Sequence, residues 1–285
     1  MSSSDLLVVG HVTRDLIGGR ERLGGAAAYA ARAASEQGLV VDLVTSAPSD
    51  FALLDPLLAD PRVRPTILPA SEPTTMALTY AGGTRTIHLR GRAPDIDVLP
   101  ESTSPVVYLA PVAGEVPPSL ARALAPRRVV VGLQGWMRRF GPDGVVLPAD
   151  PPPLEGVHAV VFSELDHPDA EAIAARLARD LPVVALTRGA RGATLYADGV
   201  PHAIAPSRAE ERDPTGAGDV FGVVLAIGLG AGRPPVVAAN EAAFVAARSV
   251  ERGVVQSAAL SARRSARRAR SAAGGRRPGR PAPPT

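Results

Sequence analysis

The amino-acid sequence predicts an α/β fold of three layers, in which helices cover both faces of a mainly parallel central sheet. Apolar runs of strand length alternate along the chain with Ala-rich stretches of helix length, and this alternation is typical of parallel sheets. The 285 residues are enough for one large domain or two small ones, and 46% of them are hydrophobic. Because aromatic residues make up only 4% of the chain, we expect a core of Ala, Val and Leu.

The individual elements follow from local patterns. Continuous apolar runs predict buried strands, and longer Ala-rich segments predict helices. The predicted strands cover residues 6–10, 40–45, 106–109, 129–133, 159–162 and 183–187, and the predicted helices cover residues 26–37, 119–124, 169–180 and 219–230. Ligands of such sheets usually bind at the carboxyl ends of the strands, so we expect the functional site at that edge.

One segment departs from the strand–helix alternation. Residues 75–80 and 84–89 alternate between apolar and polar side chains on either side of a Gly-Gly turn, which predicts a β-hairpin. Two interpretations stay open at this point. The hairpin is either a small β lid over a substrate or an ordinary antiparallel edge pair.

The charge of the chain is unevenly distributed. The sequence has 31 basic residues, all of them arginine, and 28 acidic residues. Residues 257–285 carry eight arginines and no acidic residue, whereas the first 256 residues hold 23 arginines against 28 acidic residues, a net charge of −5. We therefore expect no nucleic-acid binding by the first 256 residues. The basic tail is interpreted as solvated rather than as a DNA-binding segment.

Several classes of protein are excluded by composition. The absence of cysteine excludes disulfides and thiolate zinc sites, and the absence of lysine excludes the usual P-loop kinases. The five histidines have no helical pair at metal-ligand spacing, which argues against a zinc hydrolase. With no signal-like or membrane-spanning run in the sequence, we expect a cytoplasmic protein without membrane partners.

The most informative segment is residues 213–221, Asp-Pro-Thr-Gly-Ala-Gly-Asp-Val-Phe. A loop of small residues leads directly into a predicted helix, so the backbone N–H groups of Gly216, Ala217 and Gly218 can face an anion. This arrangement predicts a cradle for the charge of a transferring phosphoryl group. Asp219, at the helix start, is expected to be kept ionised by the same field and to accept the proton of an attacking hydroxyl.

This segment resembles the C-terminal signature of the ribokinase-like (PfkB) carbohydrate kinases. The resemblance implies a ribokinase-like fold, with Asp219 as catalytic base and residues 216–218 as the anion hole. It also implies that Asp213 and Thr215 help to bind a monovalent cation, with K⁺ as the candidate ion. Residues 8–15, 23–29, 187–192 and 239–243 resemble other segments of the same family, so that the resemblance extends over residues 5–260.

These further segments supply the remaining site residues implied by the resemblance. Asp15, Gly24 and Gly25, together with Asp219, are the implied substrate-binding residues, and the implied nucleotide-binding residues are Thr187, Gly189, Gly192 and Asn240. Where the family often has Asn-x-x-Glu near its Mg²⁺ site, this chain has residues 163–166, with Asp166 as the implied ligand. The short connection between Asp15 and Gly24, with residues 110–116 and 134–140, is similar to the myo-inositol kinase branch.

The sequence therefore predicts an ATP- and Mg²⁺-dependent kinase that phosphorylates a hydroxyl of a small sugar or polyol. A nucleoside kinase of the same fold and a non-catalytic sugar-binding sensor are the alternatives. We expect a kinase domain at residues 1–271, with lid segments at about 11–23 and 73–92, and a disordered basic tail at 272–285. A homodimer formed through the lid is a further expectation.

Overall fold

The computed structural model describes residues 3–81, 84–210, 213 and 215–252. Its strands, in chain order, are β1 (Leu6–Val9), β2 (Thr13–Ile17), β3 (Arg20–Gly24), β4 (Val41–Ala47), β5 (Val63–Pro69), β6 (Thr74–Ala81), β7 (Thr84–Gly91), β8 (Val106–Leu109), β9 (Arg128–Gly132), β10 (Arg138–Phe140), β11 (Val146–Pro148), β12 (Ala159–Ser163), β13 (Val183–Thr187), β14 (Ala193–Ala197) and β15 (Val200–Ile204). Its helices are α1 (Ala26–Glu36), α2 (Asp55–Leu58), α3 (Ser119–Ala123), α4 (Ala170–Leu177), α5 (Ala217–Gly230) and α6 (Pro235–Arg252).

The central sheet has nine strands in the order β15-β14-β13-β12-β9-β8-β1-β4-β5. The seven strands from β13 to β5 are parallel, and β14 and β15 extend the sheet as antiparallel strands. β1 lies in the interior of the sheet, where Val8 is aligned with Leu43 of β4 on one side and with Tyr108 of β8 on the other. The parallel strands therefore end at one common edge.

Helices cover both faces of this sheet, and the alternation of side chains along β1 divides the core accordingly. Leu6 and Val8 pack with residues of α1, α5 and α6 on one face. Leu7 and Val9 pack with residues of α3 and α4 on the other. The predicted three-layer α/β fold is confirmed.

A second, four-stranded sheet has the order β3-β2-β6-β7. β2 pairs in antiparallel fashion with β3 and in parallel with β6, and β6 pairs in antiparallel fashion with β7. We call these four strands the small sheet. β10 and β11 form a separate hairpin that joins the small sheet through the bridge between His88 and Val145 and through a 2.8 Å hydrogen bond from the Leu89 N–H to the Gly144 carbonyl.

The predicted elements agree closely with the observed ones, with small shifts at their ends. The strands predicted at 106–109 and 183–187 have those bounds, and the hairpin predicted around residues 81–83 is present as β6 and β7. The helix predicted from Asp219 begins two residues earlier, at Ala217. The hairpin turn at Gly82 and Gly83 and the arginine-rich tail lie outside the described residues. No described helix combines the length and the apolar character that crossing a bilayer requires.

Candidate active site

A cavity of about 1250 Å³ lies at the carboxyl edge of the parallel strands. The ends of three strands form one wall of the cavity, through Gly132 of β9, Ser163 of β12 and Thr187 of β13. The first turn of α5 forms another wall. The small sheet contributes Met76, Leu78 and Ile87, among other residues, from the opposite side. The cavity is thus shared between the end of the central sheet and the small sheet.

Most of the site residues predicted from the sequence line this one cavity. They come from segments far apart in the chain, and the fold brings them together at the strand ends. They are Asp15, Gly25, Asp166, Thr187, Gly189, Gly192, Thr215, Gly216, Ala217, Gly218 and Asp219. Gly24, Asp213 and Asn240 are not among the lining residues.

The loop before α5 presents backbone N–H groups at the cavity. Gly216 caps the helix in the left-handed region, at φ 80°, where glycine is strongly favoured. A side chain on Gly216 would collide with the ring of Tyr29, whereas a Cβ on Gly218 would meet no atom within 4 Å. The first intrahelical bond runs from the Val220 N–H to the Gly216 carbonyl, 2.9 Å, so the N–H groups of residues 217–219 precede the helical ladder.

Asp219 occupies the first turn of α5 beside these N–H groups. Burial raises the pKa of its carboxyl to about 7, and repulsion from Asp166 is the next largest cause. The Arg138 guanidinium opposes the shift, and Asp15 adds to it. The helix field therefore does not by itself set the charge of Asp219, because burial and two nearby carboxylates act against it and bring the pKa close to neutral pH.

Asp15 lies in β2 with only 8% of its surface exposed. Its Oδ1 accepts a 2.6 Å hydrogen bond from the Thr13 hydroxyl. Gly24, directly opposite Thr13 in the β2–β3 pairing, leaves the space that the Asp15 carboxylate occupies, because a Cβ at residue 24 would overlap it. Gly24 therefore supports the site by its lack of a side chain rather than by lining the cavity.

Asp166 follows β12 and holds its position through both carboxylate oxygens. Oδ1 accepts a hydrogen bond from the Gln134 side-chain amide at 3.1 Å, and Oδ2 accepts one from the Ser163 N–H at 2.8 Å. The described residues contain no group of three or more His, Asp or Glu side chains that could enclose a metal ion. Mg²⁺ commonly binds through one or two carboxylates and substrate phosphates, and Asp166 on the cavity wall fits that mode.

The chain has relatives of known name and solved structures of similar fold. No known family model matches the sequence. The chain is 32% identical over 254 residues to inositol 3-kinase from Oryza sativa subsp. japonica and 31% identical over 255 residues to inositol 3-kinase from Zea mays. Each alignment covers 78% of this chain, and they cover 62% and 66% of the two relatives. The chain therefore spans slightly less than two thirds of the length of these curated relatives.

Among solved structures, a pyrophosphate-dependent kinase in the ribokinase family, complexed with a pyrophosphate analog and myo-inositol, matches with a TM-score of 0.70. The match covers 86% of this chain and 95% of that one at 18% identity. The chain has the fold of this ribokinase-family structure. Arabidopsis thaliana ribokinase complexed with ribose and ATP matches with a TM-score of 0.63 at 18% identity, covering 87% of this chain and 93% of the other.

Two residues at this cavity were missed by sequence reasoning. Arg138, the first residue of β10, lines the cavity, lowers the pKa of Asp219 and donates a 2.9 Å hydrogen bond to the Val112 carbonyl. Tyr108, buried in β8, also lines the cavity, and its hydroxyl lies between Gly132 and Gly222. Residues 134–140 resembled the inositol kinase branch, which was the available signal for Arg138. Tyr108 was read as part of a buried strand.

Asn240 needs a correction. It was expected near a nucleotide base, but it lies exposed on α6 and outside the cavity, where its side-chain amide donates a 2.8 Å hydrogen bond to the Val236 carbonyl of its own helix. The part of α6 that faces the cavity begins about one turn later and consists of small and apolar residues. These residues are Ala243, Ala246, Ala247 and Val250.

Asp213 needs a correction as well. It was expected to help bind a monovalent cation. Instead, its Oδ2 accepts a hydrogen bond from Arg22 of β3 and forms an ion pair with that guanidinium. Its Oδ1 accepts a 3.1 Å hydrogen bond from the Thr215 N–H. The residues present do not fit a K⁺ ion bound at the Asp213 carboxylate, because a guanidinium already lies against it. Thr215, the other residue predicted to help bind a cation, lines the cavity.

Proposed function

We propose that the chain transfers the γ-phosphoryl group of ATP to a hydroxyl of a sugar or polyol, with myo-inositol as the first acceptor to test. One observation carries the proposal. The Asp219 carboxyl, the N–H groups of the first turn of α5 and the Asp15 carboxylate all face the same cavity. The two plant relatives named inositol 3-kinase and the structural neighbour bound to myo-inositol support the choice of acceptor.

Asp219 acts as the general base in this proposal. As the acceptor oxygen attacks the γ-phosphorus, its proton passes to the Asp219 carboxylate, the new P–O bond forms and the bond from the γ-phosphorus to the bridging oxygen of ADP breaks. A base is most effective when its pKa is close to the working pH. Burial raises the pKa of Asp219 to about 7, which meets this condition at neutral pH.

The loop at residues 216–218 stabilises the charge that develops on the transferred group. Its N–H groups lie at a helix N-terminus, where backbone donors and the helix dipole both favour an anion. Their positions are fixed before reaction by the left-handed conformation of Gly216, and fixed donors are the usual source of electrostatic catalysis. Mg²⁺ held at Asp166 would neutralise phosphate charge when bound.

The acceptor would lie between Asp15 and the apolar residues of the small sheet. The Asp15 carboxylate lines the cavity, and its oxygens are of the type that accepts hydrogen bonds from acceptor hydroxyls. The apolar side chains of Met76, Leu78 and Ile87 would cover the bound acceptor and limit the access of water to the phosphoryl group. The stretch of cavity beside α6, with Ala243, Ala246, Ala247 and Val250, offers room for the nucleoside of ATP.

The proposal is tested by ADP release from ATP and Mg²⁺ over a panel of myo-inositol, ribose, fructose, other hexoses and nucleosides. We expect a polyol or sugar to give acceptor-dependent ADP release, whereas nucleosides do not. Pyrophosphate in place of ATP tests the donor in the same assay. Binding of a sugar without any transfer from either donor would indicate a non-catalytic sensor and overturn the proposal.

The role of Asp219 is tested with Asp219→Asn, which keeps the size of the side chain and removes the base. Turnover should fall by on the order of 10²–10⁴-fold, the usual contribution of a general base, with little change in ATP affinity measured by calorimetry. Asp97→Asn, at an exposed position away from the cavity, is the matched control. Near-normal turnover of Asp219→Asn would exclude the assigned role.

A further inference from the structure

The ion pair between Arg22 and Asp213 joins two parts of the molecule that are 191 positions apart in the chain. Arg22 lies in β3 of the small sheet, and Asp213 lies three residues before Gly216, the cap of α5. The two side chains are 28% and 17% exposed, so water has limited access to the pair. A guanidinium in such a setting stays charged at every working pH.

The Asp213 carboxylate is occupied through both of its oxygens. Oδ2 accepts from Arg22, and Oδ1 accepts the 3.1 Å hydrogen bond from the Thr215 N–H. Burial by itself would raise the pKa of the Asp213 carboxyl, but the hydrogen bonds from Thr215 and Arg22 outweigh burial and hold the pKa below its ordinary value. The carboxylate is therefore an anion whose charge is already balanced within the protein, and its bonds fix the backbone immediately before the anion-binding loop.

Arg22 and Asp213 do not line the cavity, but their neighbours do. In the β2–β3 pairing Arg22 is directly opposite Asp15, and the Tyr29 phenol lies near the Arg22 guanidinium. The Tyr29 ring in turn packs against Gly216, since a Cβ there would collide with it. Arg22 thus lies behind the loop that faces the phosphoryl group, where it can orient the loop without touching a substrate.

We infer that Arg22 is an internal cation that takes the place of a bound monovalent cation beside Asp213, so that phosphoryl transfer by this chain is independent of K⁺. The inference rests on the proposed function of residues 216–218 as the phosphoryl-binding loop. A K⁺ ion at Asp213 would have to displace the guanidinium or lie beside a like charge. Arg22 is accordingly a positioning residue, acting through Asp213 and the loop.

The first test measures rates in K⁺ and in N-methyl-D-glucamine at equal ionic strength. The unmodified chain should have equal rates in the two salts, within about twofold. Arg22→Ala should lose activity in N-methyl-D-glucamine by a factor on the order of 10 to 100, the common size of a coupling between two sites. Added K⁺ should restore much of that loss, because the freed Asp213 carboxylate can then bind the ion, and Arg22→Ala combined with Asp213→Asn should not respond.

Matched variants separate the charge of Arg22 from its packing. Arg22→Met keeps most of the side-chain volume and should behave like Arg22→Ala, including the recovery with K⁺, whereas Arg22→Lys should retain activity without K⁺. Arg20→Ala removes an exposed arginine from the same strand and should change neither rate nor salt response. A purely structural role for Arg22 would give a loss of activity that K⁺ does not restore, which would overturn the inference.

A second measurement needs no turnover. In thermal unfolding of the ligand-free chain, K⁺ relative to N-methyl-D-glucamine should raise the melting temperature of Arg22→Ala and Arg22→Met but not that of the unmodified chain. If no acceptor is phosphorylated, the proposed function fails while this measurement still decides the cation role. Specific stabilisation or several-fold activation of the unmodified chain by K⁺ would overturn the inference directly.

Discussion

The Asp219 carboxyl lies in an environment that disfavours its charged form. Burial, Asp166 and Asp15 raise its pKa, and Arg138 alone among the named neighbours lowers it. A carboxyl with an ordinary pKa would be ionised at pH 7 but would be a weak base, whereas one raised to about 7 binds a proton strongly enough to take it from an alcohol in the transition state. Burial and three neighbouring side chains thus set the basicity of the Asp219 carboxyl.

The first prediction concerns the pH dependence of kcat/KM with the preferred acceptor. Because Asp219 must be deprotonated to act as a base, kcat/KM should rise with pH and level off above an apparent pKa of about 7. Arg138→Met removes the neighbouring positive charge and should move the rising limb to higher pH. A profile that is flat from about pH 5.5 to 8.5 in the unmodified chain would contradict the assignment of Asp219 as the titrating group.

At the scale of the element, the N-terminus of α5 depends on two glycines with different physical roles. Gly216 is required for conformation, because its φ of 80° and the adjacent Tyr29 ring both exclude a side chain. Gly218 has ordinary helical conformation and open space around it. Its lack of a side chain instead leaves room in the cavity for a ligand to approach the backbone N–H groups.

These roles predict opposite effects for two alanine substitutions. Gly218→Ala should leave the melting temperature unchanged or slightly higher, since alanine favours a helix over glycine by about 1 kcal/mol, yet it should lower kcat because the methyl group enters the anion site. Gly216→Ala should lower the melting temperature and the activity together. Thermal unfolding and ADP release on both variants check the prediction, and an active Gly218→Ala variant would place the phosphoryl group elsewhere.

The elements differ in how far the sequence predicted them, and the reasons are physical. β8 and β13 were predicted with their observed bounds because strands buried on both faces are continuous apolar runs. β5 was missed because it contains Pro65 and Pro69 and alternates between buried and exposed residues, as an edge strand does. β3 was missed because its charged residues 20–22 read as a loop. α5 begins before Asp219 because the left-handed Gly216, not the aspartate, is its cap.

The site shows the same division. Residues 216–219 and Asp15 were predicted because their motifs are local in sequence, and the cavity contains them all. The pairing of Asp213 with Arg22 depends on how the small sheet packs against the loop, which no local pattern contains. The raised pKa of Asp219 likewise depends on Asp166, Arg138 and Asp15, which three separate segments contribute. Local motifs identified residues that meet at one cavity, but long-range packing sets the electrostatics there.

At the scale of the whole molecule, the environment of Asp219 has a cost in folding stability. The folded chain holds a proton on Asp219 up to a pH of about 7, whereas the unfolded chain releases it near the ordinary value of 3.8. The folded state therefore binds more protons between these values, and the free energy of unfolding decreases as pH rises through this window. Each pKa unit corresponds to about 1.4 kcal/mol, so the rise from 3.8 to about 7 sets an upper bound of about 4.5 kcal/mol for the full effect.

This cost predicts that Asp219→Asn is more stable than the unmodified chain at pH 8, although its turnover should be far lower. The difference in the free energy of unfolding should be small at pH 4.5 and should grow up to about pH 7, because the asparagine carries no charge to bury. Urea unfolding of both proteins across this range checks the prediction, with Asp97→Asn as the control. Equal stability of Asp219→Asn and the unmodified chain at pH 8 would show that the carboxylate is not penalised by burial.

The small sheet is anchored to the reaction centre at two points. On one side the His88–Val145 bridge and the bond from Leu89 to Gly144 connect β7 to the hairpin that begins with Arg138. On the other side Arg22 connects β3 to the residues that precede Gly216. A rigid displacement of these four strands would therefore move the hairpin that carries Arg138 and the residues before Gly216 together. In the proposed reaction, an acceptor that enters under the small sheet would thus shift groups on both sides of Asp219.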